Sequence, residues 1–515
     1  MIPVCFIKFL LKKIEIQPMK ILFVYPQYPD SIWSFKHALR FISKKAVMPP
    51  LGLITVSAML PANWQRKLVD LNIIPIKIKD IQWADYVFIS AMYIQRESVN
   101  KIIDECIKQG TKIIAGGPLF TQDYENYPQI DHLVLNEAEI TLPLFLKDLE
   151  EGHPERIYKT DMFADITSTP IPDYNLLSRK NYAFMNIQVT RGCPFACEFC
   201  EITSLLGHKV RIKTTEQILD ELQKLYELQW RGNILIVDDN FTGNKKVIKY
   251  ELLPAMKKWM QERNYPFVFN TQASINLADD SELMKLMAET GFTSVFIGIE
   301  TPEENSLIEC NKGPNKNRDL LDSIKKIQRA GLQVSAGFIV GFDSDSPSVF
   351  QRQIDFIQQS GIVSAMVGLL NAPKNTRLYE RLEAENRLTT DATGNNTDSS
   401  MNFIPRMNYQ VLVDGHKKII RDIYATKAYY KRIRNLLLNY KPNHKNPVKF
   451  DWVALLGFFK SILIIGIINR GRRDYWRFML WTFFRRPALF VDAVTFSIYG
   501  YHFRTVYRIK NKYRN

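Results

Sequence analysis

The 515-residue sequence has only six cysteines, and three of them, Cys5, Cys106 and Cys310, are scattered. That usage excludes a disulfide framework and points to a reducing cytoplasm. A secretory leader is also lacking. The opening MIPVCFIKFLLKKIEIQP is interrupted by Lys8, Lys12 and Lys13 and has no small-residue cleavage site, so residues 1–18 read as an extension and the functional chain as starting near Met19. No clean membrane span is present either: the apolar run Trp452–Asn469 only reaches the lower limit of length and is broken by Lys460. Acidic residues are scarce in the tail, where residues 451–515 hold 12 Lys and Arg against 3 Asp and Glu, +9 of the chain's +15. An even basicity would suggest nucleic acid. A basic tail rich in Trp, Phe and Tyr suggests attachment to a membrane surface, with Arg470, Arg472, Arg473, Arg485 and Arg486 meeting anionic headgroups. A helix pair buried in a helical domain fits the same periodicity.

What is present centres on RGCPFACEFCEI, residues 191–202, which sets Cys193, Cys197 and Cys200 in the spacing C-x3-C-x2-C on one short loop. Soft thiolates at this density bind an iron-sulfur cluster or zinc, and three on a four-iron cluster leave one iron open to a chelating ligand. The competing arrangement is a zinc tetrahedron closed by His208. Cys106 and Cys310 fall in helical surroundings and read as packing residues.

A hydrophobic fraction of 46% supports two or three globular domains. Residues 19–150 alternate apolar strands (KILFVY, RKLVD, YVFISA, TKIIAGG, HLVL) with helical patterns, an α/β doubly wound sheet that binds ligands at the carboxyl ends of its strands. Tyr25, Ser90, Gly116, Gly117, Pro118 and Glu137 occupy such ends. Residues 151–185, with Pro170 and Pro172, read as a linker. Residues 186–390 repeat strand and amphipathic helix, and six strands predict a partial parallel barrel whose functional groups again sit at carboxyl ends. Residues 391–515 begin with the polar DATGNNTDSS and become helical and basic.

Taken together, MPPLGL, CPFACEFC, VDDNFTGN, GIETP and the helical extension resemble the cobalamin-dependent radical S-adenosylmethionine (SAM) methylases, the hopanoid 2-methylase-like group in particular. The resemblance implies a [4Fe-4S] cluster on Cys193, Cys197 and Cys200, with the SAM amine and carboxylate on the open iron. It implies SAM contacts from Phe199, Asp238, Asp239, Asn240, Gln272, Ser274, Gly298, Glu300, Gly337, Ile339 and Gly341, with VDDN where many relatives carry a GGE-like turn. Which of Asp238 and Asp239 meets the amine stays open. Cobalamin would lie on the edge from Tyr25 to Glu137, and the D-x-H-x-x-G signature that supplies a histidine below cobalt is missing. The implied reaction is radical methylation of an unactivated carbon of a hopanoid or other lipid. It needs electrons from a flavodoxin- or ferredoxin-type donor, in a cytoplasmic protein that touches the inner membrane face. Rearrangement or cyclisation with the same cofactors, and a zinc-containing RNA-binding protein, are the alternatives.

Overall fold

The computed structural model describes residues 18–395, 398–442 and 452–512. The expected extension, all but residue 18, lies outside the described residues.

Six parallel strands form the first sheet: β1 (Lys20–Tyr25), β2 (Gln65–Asp70), β3 (Tyr86–Ser90), β4 (Lys112–Gly116), β5 (His132–Val134) and β6 (Ile157–Tyr158), in the order β2-β1-β3-β4-β5-β6. Strand periodicity explains the two layers on it. Ile21 and Phe23 face Leu53, Leu142 and Phe145 from helices Leu51–Met59 and Ala138–Glu151. Leu22 and Val24 face Val99, Ile102 and Cys106 of helix Arg96–Gln109. Because both faces are covered, the inner strands β1 and β3 are near-continuous apolar runs rather than alternating, whereas the edge strand β2 is polar over its first half. The order reverses between β1 and β3, which makes their loops the switch point. β6 pairs with β5 inside the segment expected to be linker. Two residues are too few to give a periodic signal.

The second sheet contains β7 (Met185–Ile187), then, beyond a small antiparallel ribbon of β8 (Thr190–Arg191) and β9 (Arg211–Ile212), the strands β10 (Gly232–Ile236), β11 (Phe267–Gln272), β12 (Phe292–Glu300), β13 (Gln333–Val340) and β14 (Ala365–Leu369). Its order, β14-β13-β12-β11-β10-β7, is all parallel, the six-stranded partial barrel that the sequence predicts. The strand pattern of the sequence continues through Thr190, but β7 stops at Ile187. The amides of Val189 and Thr190 bond the side chain of Asp238 instead of a neighbouring strand. Helix Thr215–Glu227 begins where Thr214 and Gln217 cap each other reciprocally.

Helices Tyr409–Tyr424, Thr426–Asn439, Trp452–Ser461, Arg472–Arg485 and Phe490–Lys512 follow, and their buried residues share one core with the barrel. The last helix reaches back to the loop after β1, where His502 stacks on Phe35 with ring centroids 5.3 Å apart. Among the described residues, no helix is long and apolar enough to cross a membrane.

Candidate cluster and cofactor site

The cysteine loop leaves β8 through Gly192, whose φ is +92°. A Cβ at this position would lie 2.7 Å from the Lys209 carbonyl oxygen and 2.9 Å from that of Gly207, so only glycine fits. The loop is then held from outside. Cys193 N donates to Gly207 O at 3.2 Å, Glu198 N to Cys310 O at 2.9 Å and Asn311 Nδ2 to Ala196 O at 3.1 Å. The Glu198 carboxylate accepts from Arg381 at 2.6 and 3.1 Å, and Arg381 also bonds Asp343. Cys310 is buried as expected, and its carbonyl also serves as an anchor for the loop.

Burial pushes all three thiols up, Cys200 to about 12, and the Lys312 ammonium works against that rise at each of them. A bound metal would be needed to hold them as thiolates. The sulfurs do not gather within 4.8 Å of one another: among the described residues the only ligand trio that tight is Asp148, Glu151 and His153, two of them exposed. A tetrahedron with Zn–S bonds of about 2.3 Å has S···S edges of ~3.8 Å. His208 is exposed as well. At least one pair of the three sulfurs is thus farther apart than such an S···S edge.

The two adjacent acids separate clearly. Asp238 is fully buried, and its carboxylate accepts from Val189 N (2.7 Å), Thr190 N (2.9 Å) and Thr190 Oγ1 (2.8 Å). It ties β10 to the strand leading into the cysteine loop, and both its oxygens are engaged within the protein. Asp239 differs. Its Oδ2 is buried without a hydrogen-bond partner, and burial together with the Asp238 charge raises its carboxyl to about 7. A buried orphan acceptor beside the cysteines is what a ligand ammonium would satisfy. Asn240 accepts from Thr242 Oγ1 at 3.1 Å and bonds the Cys193 thiol.

Glu300 ends β12 with φ +63° and pairs with Lys312 at 2.6 Å. A Cβ on Gly298 would lie 2.7 Å from Lys312 Nζ, so that glycine makes room for the ion pair. Glu300 therefore faces Lys312. Phe199 packs at 6.3 Å on Phe342, next to Gly341, whose φ is +108°. Gln272 is exposed, Ser274 and Ile339 half-buried and Gly337 buried, all on the carboxyl half of the sheet.

On the first sheet, the Tyr25 and Tyr28 hydroxyls lie 2.5 Å apart, and Tyr28 also donates to Met92 Sδ. Gly116 and Gly117 are close-packed by their own domain: an added Cβ would lie 2.5 Å from Val134 O and 2.6 Å from Ser90 Oγ respectively. Pro118 opens the next helix, exposed. Glu137 requires correction. It is buried with its carboxylate bonded to Arg191 (2.8 Å), Arg211 (2.7 Å) and Ala164 N (2.8 Å), while Glu139 takes the other arm of Arg191 at 2.8 Å. The residue at this strand end faces the cysteine loop, not an open edge. Burial opposes ionisation of Glu139, but the Arg191 hydrogen bonds and charge overcome it and hold its carboxyl down to about 2.

Sequence reasoning missed Lys312, Arg211, Glu198 and Arg381. Arg191 and Glu198 lie inside the cysteine motif, but nothing local indicated their partners.

The carboxyl edges of both sheets thus meet. Trp33, on the loop after β1, packs on Phe296 of β12 at 5.3 Å and donates to Met366 Sδ of β14 at 2.9 Å. Known proteins share this combination of domains. Residues 187–357 match the radical SAM superfamily, residues 40–146 the B12 binding domain, and residues 376–515 a domain of unknown function (DUF4070). An uncharacterised methyltransferase of Synechocystis is 40% identical over 94% of this chain and 91% of its own. The hopanoid C-2 methylase of Rhodopseudomonas palustris is 34% identical over 90% and 89%. Among solved structures, the cobalamin-dependent SAM radical enzyme OxsB with aqua-cobalamin superposes with a TM-score of 0.62 at 14% identity, covering 96% of this chain and 80% of that one. The methyltransferase TsrM of Kitasatospora setae with cobalamin and a [4Fe-4S] cluster gives 0.58 at 13%, over 90% and 98%. At these identities the two structures bear on the fold alone. An orphan acid beside three cysteines, two facing sheet edges and relatives matched along nearly the whole length agree: this chain belongs to the cobalamin-dependent radical SAM methylases, enzymes that use a [4Fe-4S] cluster, SAM and cobalamin.

Proposed function

We propose that the chain methylates an unactivated carbon of a bulky apolar lipid of the hopanoid kind. The observation that carries this is the likeness to the Rhodopseudomonas hopanoid methylase, which extends through the helical C-terminal region. The Trp33–Phe296–Met366 wall where the sheets meet supplies a second support, because aromatic and thioether surfaces suit a ligand with few polar groups.

The bound cofactors supply the hydrogen-abstracting radical and the methyl group. The chain's own residues hold and screen. Cys193, Cys197 and Cys200 would ligate three irons, and Asp239 would accept the SAM ammonium. Lys312, its charge balanced by Glu300, would lie beside the cluster and the SAM carboxylate. Asp238 acts as a positioning residue for the cysteine loop. Phe199, Asn240, Gln272, Ser274, Gly337, Ile339 and Gly341 would surround the rest of SAM, and Tyr25, Ser90, Gly116, Gly117 and Pro118 would border cobalamin. Glu137 with Arg191 and Arg211 closes one side of the junction against water. Hydrogen abstraction by a radical needs no general base, and none is assigned. Electrons would come from a low-potential flavodoxin- or ferredoxin-type protein. The setting is cytoplasmic, with the C-terminal region peripheral on the inner membrane face.

The test is anaerobic turnover of cobalamin-loaded enzyme with methyl-deuterated SAM and a hopanoid. A deuterated methyl group on the lipid together with 5′-deoxyadenosine supports the reading. Deoxyadenosine and an altered lipid without the label would replace methylation by rearrangement.

A further inference from the structure

Within residues 452–491 lie twelve of the 27 large hydrophobic side chains left exposed among the described residues, so the apolar surface is concentrated on one part of the chain. It is organised as well as dense. Along helix Trp452–Ser461 and the π-helical turns after it, Trp452, Leu456, Phe459, Leu463 and Ile467 recur at steps of three and four and point outward. The opposite side holds the body of the protein: Gly457 lies on Phe41 and Ile42, and Ser461 Oγ is 3.0 Å from Tyr475 OH. Helix Arg472–Arg485 repeats the pattern, with Trp476, Leu480, Phe483 and Phe484 outward and Tyr475, Phe478, Met479 and Thr482 buried.

The two stripes are neighbours. Trp476 Nε1 donates to Gly466 O at 2.9 Å, and Phe490 touches both Phe458 (5.7 Å) and Phe483 (6.1 Å). Lys460, which breaks the apolar run in sequence, turns away to Arg40 O and Ser43 Oγ. Charge selects the occupant. Between Trp452 and Val491 the chain carries seven Lys and Arg against the single acid Asp474, and Arg470, Arg472, Arg473, Arg477 and Arg485 are exposed.

We infer that this face of the C-terminal domain is a docking surface for an anionic lipid bilayer, its apolar stripes sunk to the level of the upper acyl chains and its arginines among the phosphates. Neither helix spans, and aromatic side chains flanked by arginines match the headgroup boundary. A protein partner of ordinary polarity would leave most of these arginines without counter-charges. The docked face adjoins the segment Phe41–Ile42, which continues from the Trp33 wall, so the bilayer lies beside the domain junction. The inference deepens the lipid reading above, but its test requires no turnover.

Full-length enzyme loaded with cluster and cobalamin is floated anaerobically with phosphatidylcholine vesicles, with and without one-third phosphatidylglycerol. Binding is expected to the anionic vesicles and to weaken with salt. The double variant Leu480→Ser, Phe484→Ser should lose about tenfold or more of that binding, and Arg472→Glu, Arg473→Glu should abolish the preference for anionic vesicles. Iron and cobalamin content of both should match the parent, which separates this result from misfolding and from loss of the catalytic site. Absence of parent binding to either vesicle, or binding unchanged in both variants, overturns the inference. So does a homodimer in solution that the same serine substitutions dissociate, because the face would then belong to a second copy.

Discussion

Exchange of Asp238 and Asp239, one at a time, for asparagine should separate two roles that their adjacency conceals. In Asp238→Asn the amide offers one oxygen where the carboxylate satisfied three donors at 2.7, 2.8 and 2.9 Å. With the amide oxygen at the Oδ2 position both Thr190 donors are kept, and the buried Val189 N–H loses its acceptor and faces an N–H₂ group, at a cost of about 1–3 kcal/mol. Val189 and Thr190 lie close before Cys193 in the chain, so the local loss of about 1–3 kcal/mol falls on the geometry of the cluster loop. In Asp239→Asn the fold loses little, because Asp239 Oδ2 accepts no hydrogen bond from it. The substitution removes a charge-assisted contact to the ligand worth about 1.5–3 kcal/mol, a weakening of SAM binding of roughly ten- to a hundredfold. The assay is anaerobic cluster reconstitution with iron and sulfide analysis, followed by equilibrium dialysis with SAM. Asp238→Asn should lose iron, whereas Asp239→Asn should keep iron and lose SAM. If Asp238→Asn keeps its iron and loses SAM while Asp239→Asn binds SAM normally, the assignment is refuted.

Buried charges elsewhere give three further outcomes. Arg191→Met leaves Glu139 without its cation and Glu137 with Arg211 alone, at a cost of about 3–5 kcal/mol, and limited proteolysis should then cut residues 151–185 faster than in the parent. Lys312→Met leaves Glu300 without its partner and removes the positive charge that acts on all three cysteines; the cluster's reduction potential, followed by electron paramagnetic resonance, should become more negative. His502 is lowered to about 4, first by burial, with the Ile32 carbonyl opposing and His37 assisting. Its folded value lies below the unfolded 6.5, so the unfolded state binds the proton more readily. Its contribution is complete above about pH 6.5 and falls by ~1.4 kcal/mol per pH unit down to about 4. Hydrogen-exchange protection factors in helix Phe490–Lys512, corrected for the intrinsic rate, should therefore fall between pH 6.5 and 5, and His502→Phe should remove that dependence.

Much of the fold could be read from local pattern. Buried parallel strands announce themselves as apolar runs, and C-x3-C-x2-C places three ligands on one loop whatever surrounds it. Strand ends were equally legible, and the candidate residues do lie at carboxyl edges. What the sequence withheld was the direction and partner of each side chain there. Glu137 and Glu300 stand at the expected ends, yet each is bonded to a cation distant in sequence, and Lys312 lies in a segment with no motif. Asp238 and Asp239 cannot be ranked by composition, because only the fold decides which carboxylate meets the Val189 and Thr190 amides. The apolar tail was similarly ambiguous: periodicity marks a stripe without saying which of its residues the rest of the chain covers, and in the folded chain Leu480 and Phe484 are exposed while Phe478 and Met479 are buried.

Iron and sulfide analysis of the anaerobically reconstituted chain, with an electron paramagnetic resonance spectrum recorded before and after SAM is added, tests the central claim most directly. The account predicts about four iron and four sulfide per chain and a reduced-cluster signal that shifts on SAM binding, because the ligand reaches the iron that no cysteine holds. Bound zinc without iron, or a cluster signal indifferent to SAM, would contradict it.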